Sequence, residues 1–386
     1  MPPDVSSPRG EEKERRCRPP RRLTEKVTRM GLWLWNTEAH RGGSPRLGLW
    51  SGPRTRPASP PGARGEDGRW RAITHRAEIL ALAPEVQQRR TMDQFHDGHH
   101  VWLRSRVHGT YLHADDDGEG ASLREGRASL NAAWAVHLFH GDDAPYVLLH
   151  SAAYGRYLAA TDAKAPRGGR GFRVAQRNNN ESEAEDIKWH AVRTGPGEDI
   201  LLRHDHVVGC GRYHRYLRAN GRYLPWNNSV VSVDDSQNFS TMMQWVVEPI
   251  PARQGRPGLP RPIRASVVRL GRAVEAWQLI RFVRASDVGL CNEKEGWSVF
   301  QFRGRSVYHL RNELAMATGV AVPDLIMCVR AGRYGRLTPL VVDLPRDGSG
   351  DTIEIVVIMD GTPASSALRH PDVNAEKRKI RTGVAS

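Results

Sequence analysis

The chain has 386 residues, 39% of them hydrophobic, which is enough length and apolar content for two or three domains with cores of their own. Its formal net charge of +14 is uneven, with 19 Lys and Arg against 10 Asp and Glu in residues 1–91, 6 against 1 in 251–275 and 5 against 2 in 361–386. The remainder is slightly acidic, so a dedicated basic groove for specific nucleic-acid binding is not indicated, and no apolar stretch approaches the roughly 20 residues that span a bilayer.

Residues 1–91 are rich in Pro, Arg and Gly, lack sustained periodicity and read as a disordered extension. Glu11, Glu12 and Glu14 argue against a transit peptide, which is usually poor in acids. Met92 stands immediately before the first strand as a natural initiator.

From Met92 to Ile250 the sequence repeats itself. Trp134, Trp189 and Trp245 close three copies of about 55 residues. Each copy opens on a short apolar strand and passes through a Tyr-Leu hairpin: Tyr111-Leu112, Tyr157-Leu158 and Tyr223-Leu224. The pieces are three to six residues long, alternate apolar with polar, and are separated by Gly, Asn, Asp or Pro, as short strands and turns are. Four strands in each of three copies give twelve strands, the plan of a β-trefoil, with the repeated Tyr, Leu and Trp side chains as its core. In the third copy Gly211-Arg212-Tyr213 recurs as Gly221-Arg222-Tyr223, so two stretches compete for the hairpin position.

Residues 251–275 form a basic Pro-rich linker. Residues 276–361 then read as strand (278–283), strand (297–302), helix, strand (325–329), strand (337–342) and strand (353–358). Ser306 is placed to cap the helix, Val307, Leu310, Leu314 and Ala317 share one face, and Gly319 can end it. This order suggests a smaller α+β ubiquitin-like β-grasp domain, a docking fold rather than a conjugated tag. The basic tail 362–386 reads as disordered.

The segments His100-Val101-Trp102-Leu103-Arg104-Ser105, Gly155-Arg156-Tyr157-Leu158-Ala159-Ala160 and Met242-Met243-Gln244-Trp245-Val246-Val247-Glu248-Pro249 resemble the plant family of domain of unknown function 569. That trefoil is similar to the repeat unit of fascin-type actin cross-linking proteins. Residues such as Phe302-Arg303-Gly304-Arg305-Ser306 and Cys328-Val329-Arg330-Ala331-Gly332-Arg333-Tyr334 resemble the ubiquitin-like portion that follows it in grass members. The resemblance implies a protein-binding module and makes filamentous actin the first partner to consider, although a lone trefoil needs a second site or a dimer to cross-link filaments.

Chemistry has little to start from. No Gly-x-Ser-x-Gly elbow, P-loop or Gly-x-Gly-x-x-Gly after a strand occurs, so no catalytic residue, cofactor or enzyme activity is assigned. His96, His99 and His100, and His204 with Asp205 and His206, lack the spacing of a zinc site, and Asp115-Asp116-Asp117-Gly118 lacks the terminal carboxylates of a calcium loop. The copies do not end in the Gln-x-Trp of ricin-type lectins, leaving carbohydrate binding as an alternative alongside a signalling adaptor docked through the β-grasp domain. Cys17, Cys210, Cys291 and Cys328 form no C-x-x-C pair and read as free thiols of a cytoplasmic protein, with the nucleus also open to it. The candidate partner-binding residues are arginines: Arg212, Arg215, Arg218 and Arg222 on the trefoil, and Arg330, Arg333 and Arg336 on the β-grasp hairpin.

Overall fold

A computed structural model describes residues 92–375 except 142–144, 167–168, 182–183, 195–198, 209–210, 222–228, 236–238, 263–276, 292–295 and 347–351. The extension before Met92, Arg222, Tyr223, Leu224, Cys17, Cys210 and the tail from 376 therefore lie outside the described residues.

The repeat builds twelve strands. The first copy gives β1 (His100–Ser105), β2 (Tyr111–Ala114), β3 (Ala121–Arg124) and β4 (Trp134–His140). The second gives β5 (Pro145–Ser151), β6 (Tyr157–Lys164), β7 (Phe172–Arg177) and β8 (His190–Arg193). The third gives β9 (Asp199–Val208), β10 (Gly211–Ala219), β11 (Val231–Asp234) and β12 (Trp245–Ile250). Antiparallel pairing of β1 with β12, from His100 opposite Ile250 to Ser105 opposite Trp245, joins the first copy to the last. Closure in this way leaves no copy to bury its apolar face alone.

Each copy is locked by one interaction that the three share. The indole N–H of Trp134 donates to the carbonyl of Leu112 at 3.0 Å, that of Trp189 to Leu158 at 2.9 Å, and that of Trp245 to Leu217 at 3.0 Å. All three indoles are fully buried, so each ring removes about 200 Å² of surface from water, roughly 5 kcal/mol of gross stabilisation, and still satisfies its one donor. A single 3-10 turn delivers each Trp: Leu130–Ala132, Glu185–Ile187 and Thr241–Met243.

These bonds decide the register of the third copy. Tyr111 pairs with Arg104, Tyr157 with His150, and Tyr216 with Arg203, so the third Tyr-Leu unit is Tyr216-Leu217 and not Tyr223-Leu224. The local motif misleads because the residue two before Tyr216 is His214, where the other copies have Gly109 and Gly155 at φ 68° and 70°. In those copies a tight turn requires the glycine, whereas β9 and β10 continue as a long hairpin through that point and require none.

The second domain comprises β13 (Trp277–Arg284), β14 (Ser298–Arg303), α1 (Val307–Thr318), β15 (Leu325–Arg330), β16 (Leu337–Pro339) and β17 (Ile353–Met359). Its sheet runs β14-β13-β17-β15-β16, with β13 and β17 parallel at the centre, as in ubiquitin-like folds. The Ser306 hydroxyl accepts the His309 N–H and Gly319 ends α1 at φ 66°, as the sequence signals. Val307, Leu310 and Leu314 press on Ile280, Phe302 and Ile355. No helix among the described residues is long and apolar enough to cross a membrane.

The stretch after 361, read above as part of a disordered tail, is folded as far as 375. A short helix α2 (Pro363–Ala367), capped by Thr362, sets Ala364 against Val283, Ile326, Cys328, Val356 and Ile358 on the far face of the sheet. The chain then returns to the trefoil. Ala252 bridges Pro371, the Arg253 N–H donates to His370, the Asp372 N–H donates to Pro251, and Arg127 donates to the Ala375 carbonyl at 3.0 Å. The first residues of the linker are held by the same contacts, and Arg256 pairs with Asp360.

Candidate partner-binding surfaces

The two domains meet through the first two trefoil copies, the second foremost, and the β15–β16 end of the ubiquitin-like sheet with the loop after it. Asn179 carries much of the contact: its N–H donates to Ala331 (2.8 Å), its carbonyl accepts from Tyr334 (2.9 Å), and its side-chain amide donates to the Tyr334 carbonyl (3.2 Å). Thr338 Oγ1 lies 3.1 Å from Nδ1 of the fully buried His150, and the Tyr157 hydroxyl accepts the Arg336 N–H at 3.1 Å. Two glycines permit the approach. A Cβ at Gly155 would sit 3.0 Å from Val329 Cγ2, and one at Gly332 (φ 87°) would fall 2.6 Å from the Asn179 carbonyl. Burial pushes His150 well below the ordinary imidazole value and His137, beside Tyr157, down to about 4, so both are neutral near pH 7.

Most of the candidate arginines work inside this framework. Arg215 is buried, 2.7 Å from Asp162, with its guanidinium 4.0 Å above the Phe172 ring. The hydrogen bond from Arg215 holds Asp162 below its ordinary range. Arg218 is buried too, donating to Asn220 (3.2 Å) and to Asp234 (3.1 Å), which is itself almost wholly buried. Arg330 grips Glu354 at 3.0 Å and lies 5.0 Å from the Trp297 ring, whose surroundings also include Arg281 at 4.4 Å. Arg336 pairs with Asp97 across the domain boundary at 2.9 Å. Burial alone would raise the Asp97 carboxyl, but Arg336, the Leu138 N–H and His137 together leave the group below the ordinary value. Of the remaining three, Arg333 sits 5.6 Å from Tyr334, Arg212 lies in β10, and Arg222 is outside the described residues. Arg215, Arg218, Arg330 and Arg336 are thus not a set of solvated hairpin-tip cations. Arg215, Arg218 and Arg330 are buried or nearly so and each takes a carboxylate, whereas the Arg336–Asp97 pair is half-exposed.

The histidines are likewise engaged. His204 packs 5.7 Å from Trp189 with Nε2 3.2 Å from the Glu185 carbonyl. Asp205 is approached by Arg203 (3.0 Å), His190 (3.5 Å) and His214 (2.9 Å). A groove of about 1110 Å³ runs between β1, β12 and residues 369–375. Within it Glu248 takes Arg104 at 2.5 Å, Arg127 at 3.8 Å and the Tyr111 hydroxyl at 3.4 Å, and Arg369 and Asp372 also line it.

Several large apolar side chains are left uncovered. On β13 and β14, Trp277 (61% exposed), Leu279 (40%) and Val299 (56%) lie on the sheet face opposite α1, beyond the part that α2 covers. On the long β9–β10 hairpin, Val207 and Tyr213 are exposed. Sequence reasoning missed Trp277 and Val299 because alternation alone gives a strand's two faces without telling which of them meets solvent.

A β-trefoil followed by a ubiquitin-like domain that carries exposed apolar side chains is the build of a protein-interaction module. Residues 92–248 match the beta-trefoil domain of unknown function (DUF569) and residues 276–358 match the DUF569-associated ubiquitin-like domain, and the chain belongs to this family. Among curated proteins no sequence matches it. Solved structures similar to its trefoil include a Caenorhabditis elegans protein of unknown function (15% identity, 40% of this chain, 96% of that one, TM-score 0.32). The SDF2-like protein from Arabidopsis thaliana is similar to the same degree, at 15% identity over 40% of this chain and 93% of that one, TM-score 0.32. The BEL beta-trefoil is similar at 12% identity over 40% and 95%, TM-score 0.31.

Proposed function

We propose that the protein is a non-enzymatic adaptor that recruits a partner protein through the β13–β14 hairpin of its ubiquitin-like domain. The observation that carries this is the exposure of Trp277, Leu279 and Val299 on one face of adjacent strands, where Arg303 lies 5.8 Å from the Trp277 ring, since exposed apolar side chains on one face mark interaction sites. The trefoil serves as the rigid base from which the hairpin is presented. Cross-linking mass spectrometry on the native full-length chain tests the reading. Partners should cross-link near residues 277–303, and Trp277→Ser should remove them. Partners indifferent to Trp277 would sink it.

Actin-filament binding, suggested by the fascin-like trefoil, is the second reading. It is supported by the β9–β10 hairpin, where Val207 and Tyr213 are exposed, rather than by the arginines that are paired internally. Co-sedimentation with filamentous actin at low and physiological salt, with Tyr213→Ser as control, decides it. A glycan array serves the same purpose for a trefoil lectin.

A further inference from the structure

The trefoil face that chiefly carries the ubiquitin-like domain differs from its two pseudo-symmetric equivalents in one residue type. Opposite the Tyr of each Tyr-Leu unit the first and third copies place an arginine, Arg104 and Arg203, paired with Glu248 and Asp205 and charged at any ordinary pH. The second copy places His150 there, opposite Tyr157, and Thr338 of the other domain covers it, with Oγ1 3.1 Å from Nδ1. Where its equivalents hold a fixed charge, this face holds a side chain that can be neutral, at the place where docking removes water.

A second imidazole stands beside it. His137 Nδ1 is 3.1 Å from the Tyr157 hydroxyl, which already accepts the Arg336 N–H from across the boundary. A neutral Nδ1 can take the hydroxyl proton, whereas a doubly protonated ring brings another donor to that oxygen. The charged and titratable groups facing the two rings are each other, Tyr157, His100, Arg336 with Asp97, and Lys188, which shares a cavity of about 250 Å³ with His137 and is paired with Glu185. His100 in turn faces His99, Arg369 and His370. Both carboxylates already hold a cation. Among the described residues His190, His206 and His214 pair with acids, and His137 and His150 do not. A proton on His150 would therefore be a buried charge with no counter-ion, and one on His137 a half-buried charge beside Arg336.

We infer that docking of the ubiquitin-like domain on the trefoil is switched by protonation of His137 and His150, so that acid opens the boundary while both domains stay folded. The docked state keeps the two rings neutral, and the undocked state lets water solvate their charged forms. Docking is thus fullest above about pH 6.5 and is lost as pH falls below it. For His137, held at about 4 when docked, the docking constant should drop about twentyfold between pH 7 and 5, and His150 acts in the same direction. Trp277, Leu279 and Val299 lie at the opposite edge of the sheet, so this inference stands or falls apart from the adaptor reading.

Amide hydrogen exchange of the full-length chain from pH 7 to 5, with intrinsic rates divided out, tests it. The N–H groups of Asn179, Tyr334 and Arg336 bond across the boundary. Their protection should fall at least about tenfold over that range, while amides of β1 and β17 stay better protected. His137→Asn combined with His150→Asn keeps a polar group near each Nδ1 position without a titrating one and should flatten the fall, whereas His100→Gln should not. His150→Arg installs the residue type of the other two copies and should strip the boundary of protection already at pH 7, with near-ultraviolet circular dichroism showing the domains folded. Boundary protection that holds to pH 5, or that falls in step with β1 and β17, would overturn the inference. So would full boundary protection in a folded His150→Arg protein. Should that variant not fold, the double asparagine variant decides alone, and a fall as steep as the parent's would sink the switch.

Discussion

Tyr157 is shared between two structures. Its backbone belongs to the repeat that seats Trp189, through the adjoining Leu158 carbonyl, while its hydroxyl accepts the Arg336 N–H from the ubiquitin-like domain. The equivalent Tyr111 instead reaches Glu248 within the trefoil. Pseudo-symmetry therefore gives three similar faces, and the second is specialised to hold the neighbouring domain.

Tyr157→Phe keeps the ring and removes the acceptor, leaving the Arg336 N–H short of a partner at a part-buried site. A loss of about 1–3 kcal/mol is expected, with faster proteolysis at the domain boundary, whereas Tyr111→Phe should change stability without that second effect. Chemical denaturation and limited digestion of both variants provide the comparison.

Gly332→Ala should be the more damaging change at the boundary. The new Cβ meets backbone atoms of Asn179 at 2.6 Å, which cannot yield as a flexible side chain can, and φ 87° is itself unfavourable for alanine. A destabilisation of about 2–4 kcal/mol is expected. A melting curve superimposable on that of the parent would show that the two domains do not make this contact in solution.

Arg218→Met and Arg215→Ala separate an internal role from a partner-facing one. Removing Arg218 takes one of two arginines from the buried Asp234 carboxylate, Arg170 remaining at 3.2 Å, and should cost about 1–3 kcal/mol. Arg215 pairs with a largely exposed Asp162, so its loss is felt chiefly through packing on Phe172 and should be smaller. Partner binding by the folded fraction should be unchanged in both, as binding isotherms corrected for active concentration would reveal.

Acid should loosen the molecule well before carboxylates protonate. Burial lowers His100 and His137 to about 4, and His150 well below its ordinary value too, from 6.5. The unfolded chain then binds more protons than the folded one between about pH 6.5 and 4, so stability is complete above that window and falls as pH drops through it. His100 alone accounts for about 2 kcal/mol by pH 5. The depressed Asp97 and Asp162 act in the window below about 3.8 and do not offset this. Melting temperature measured from pH 7.5 to 4.5 should decline, and His100→Gln should flatten the decline.

Much of this architecture is written locally. Trp134, Trp189 and Trp245 announce the repeat by spacing, and Ser306 and Gly319 mark the ends of α1, because buried aromatics and helix caps need particular residues at particular intervals. What could not be read depends on partners distant in sequence. Nothing near Asn179 foretells Ala331 and Tyr334, and nothing near Arg215 foretells Asp162, so arginines that serve the interior looked like surface cations. The register of the third copy failed for the opposite reason. Two Gly-Arg-Tyr signals were present, and the Tyr that the core uses carries neither glycine nor the signal.

The return of residues 370–375 to the strand leaving the trefoil has a mechanical consequence. Entry and exit of the ubiquitin-like domain are stapled together by the bridge of Ala252 with Pro371, so the domain hangs from the trefoil as a closed loop rather than as a bead on a string. A tether at both ends raises the local concentration of the boundary contacts and lets a pull on the C-terminus reach the trefoil directly. Truncation after residue 368 would undo the staple while leaving α2 seated on the sheet, so the domain would hang by one arm and its boundary contacts.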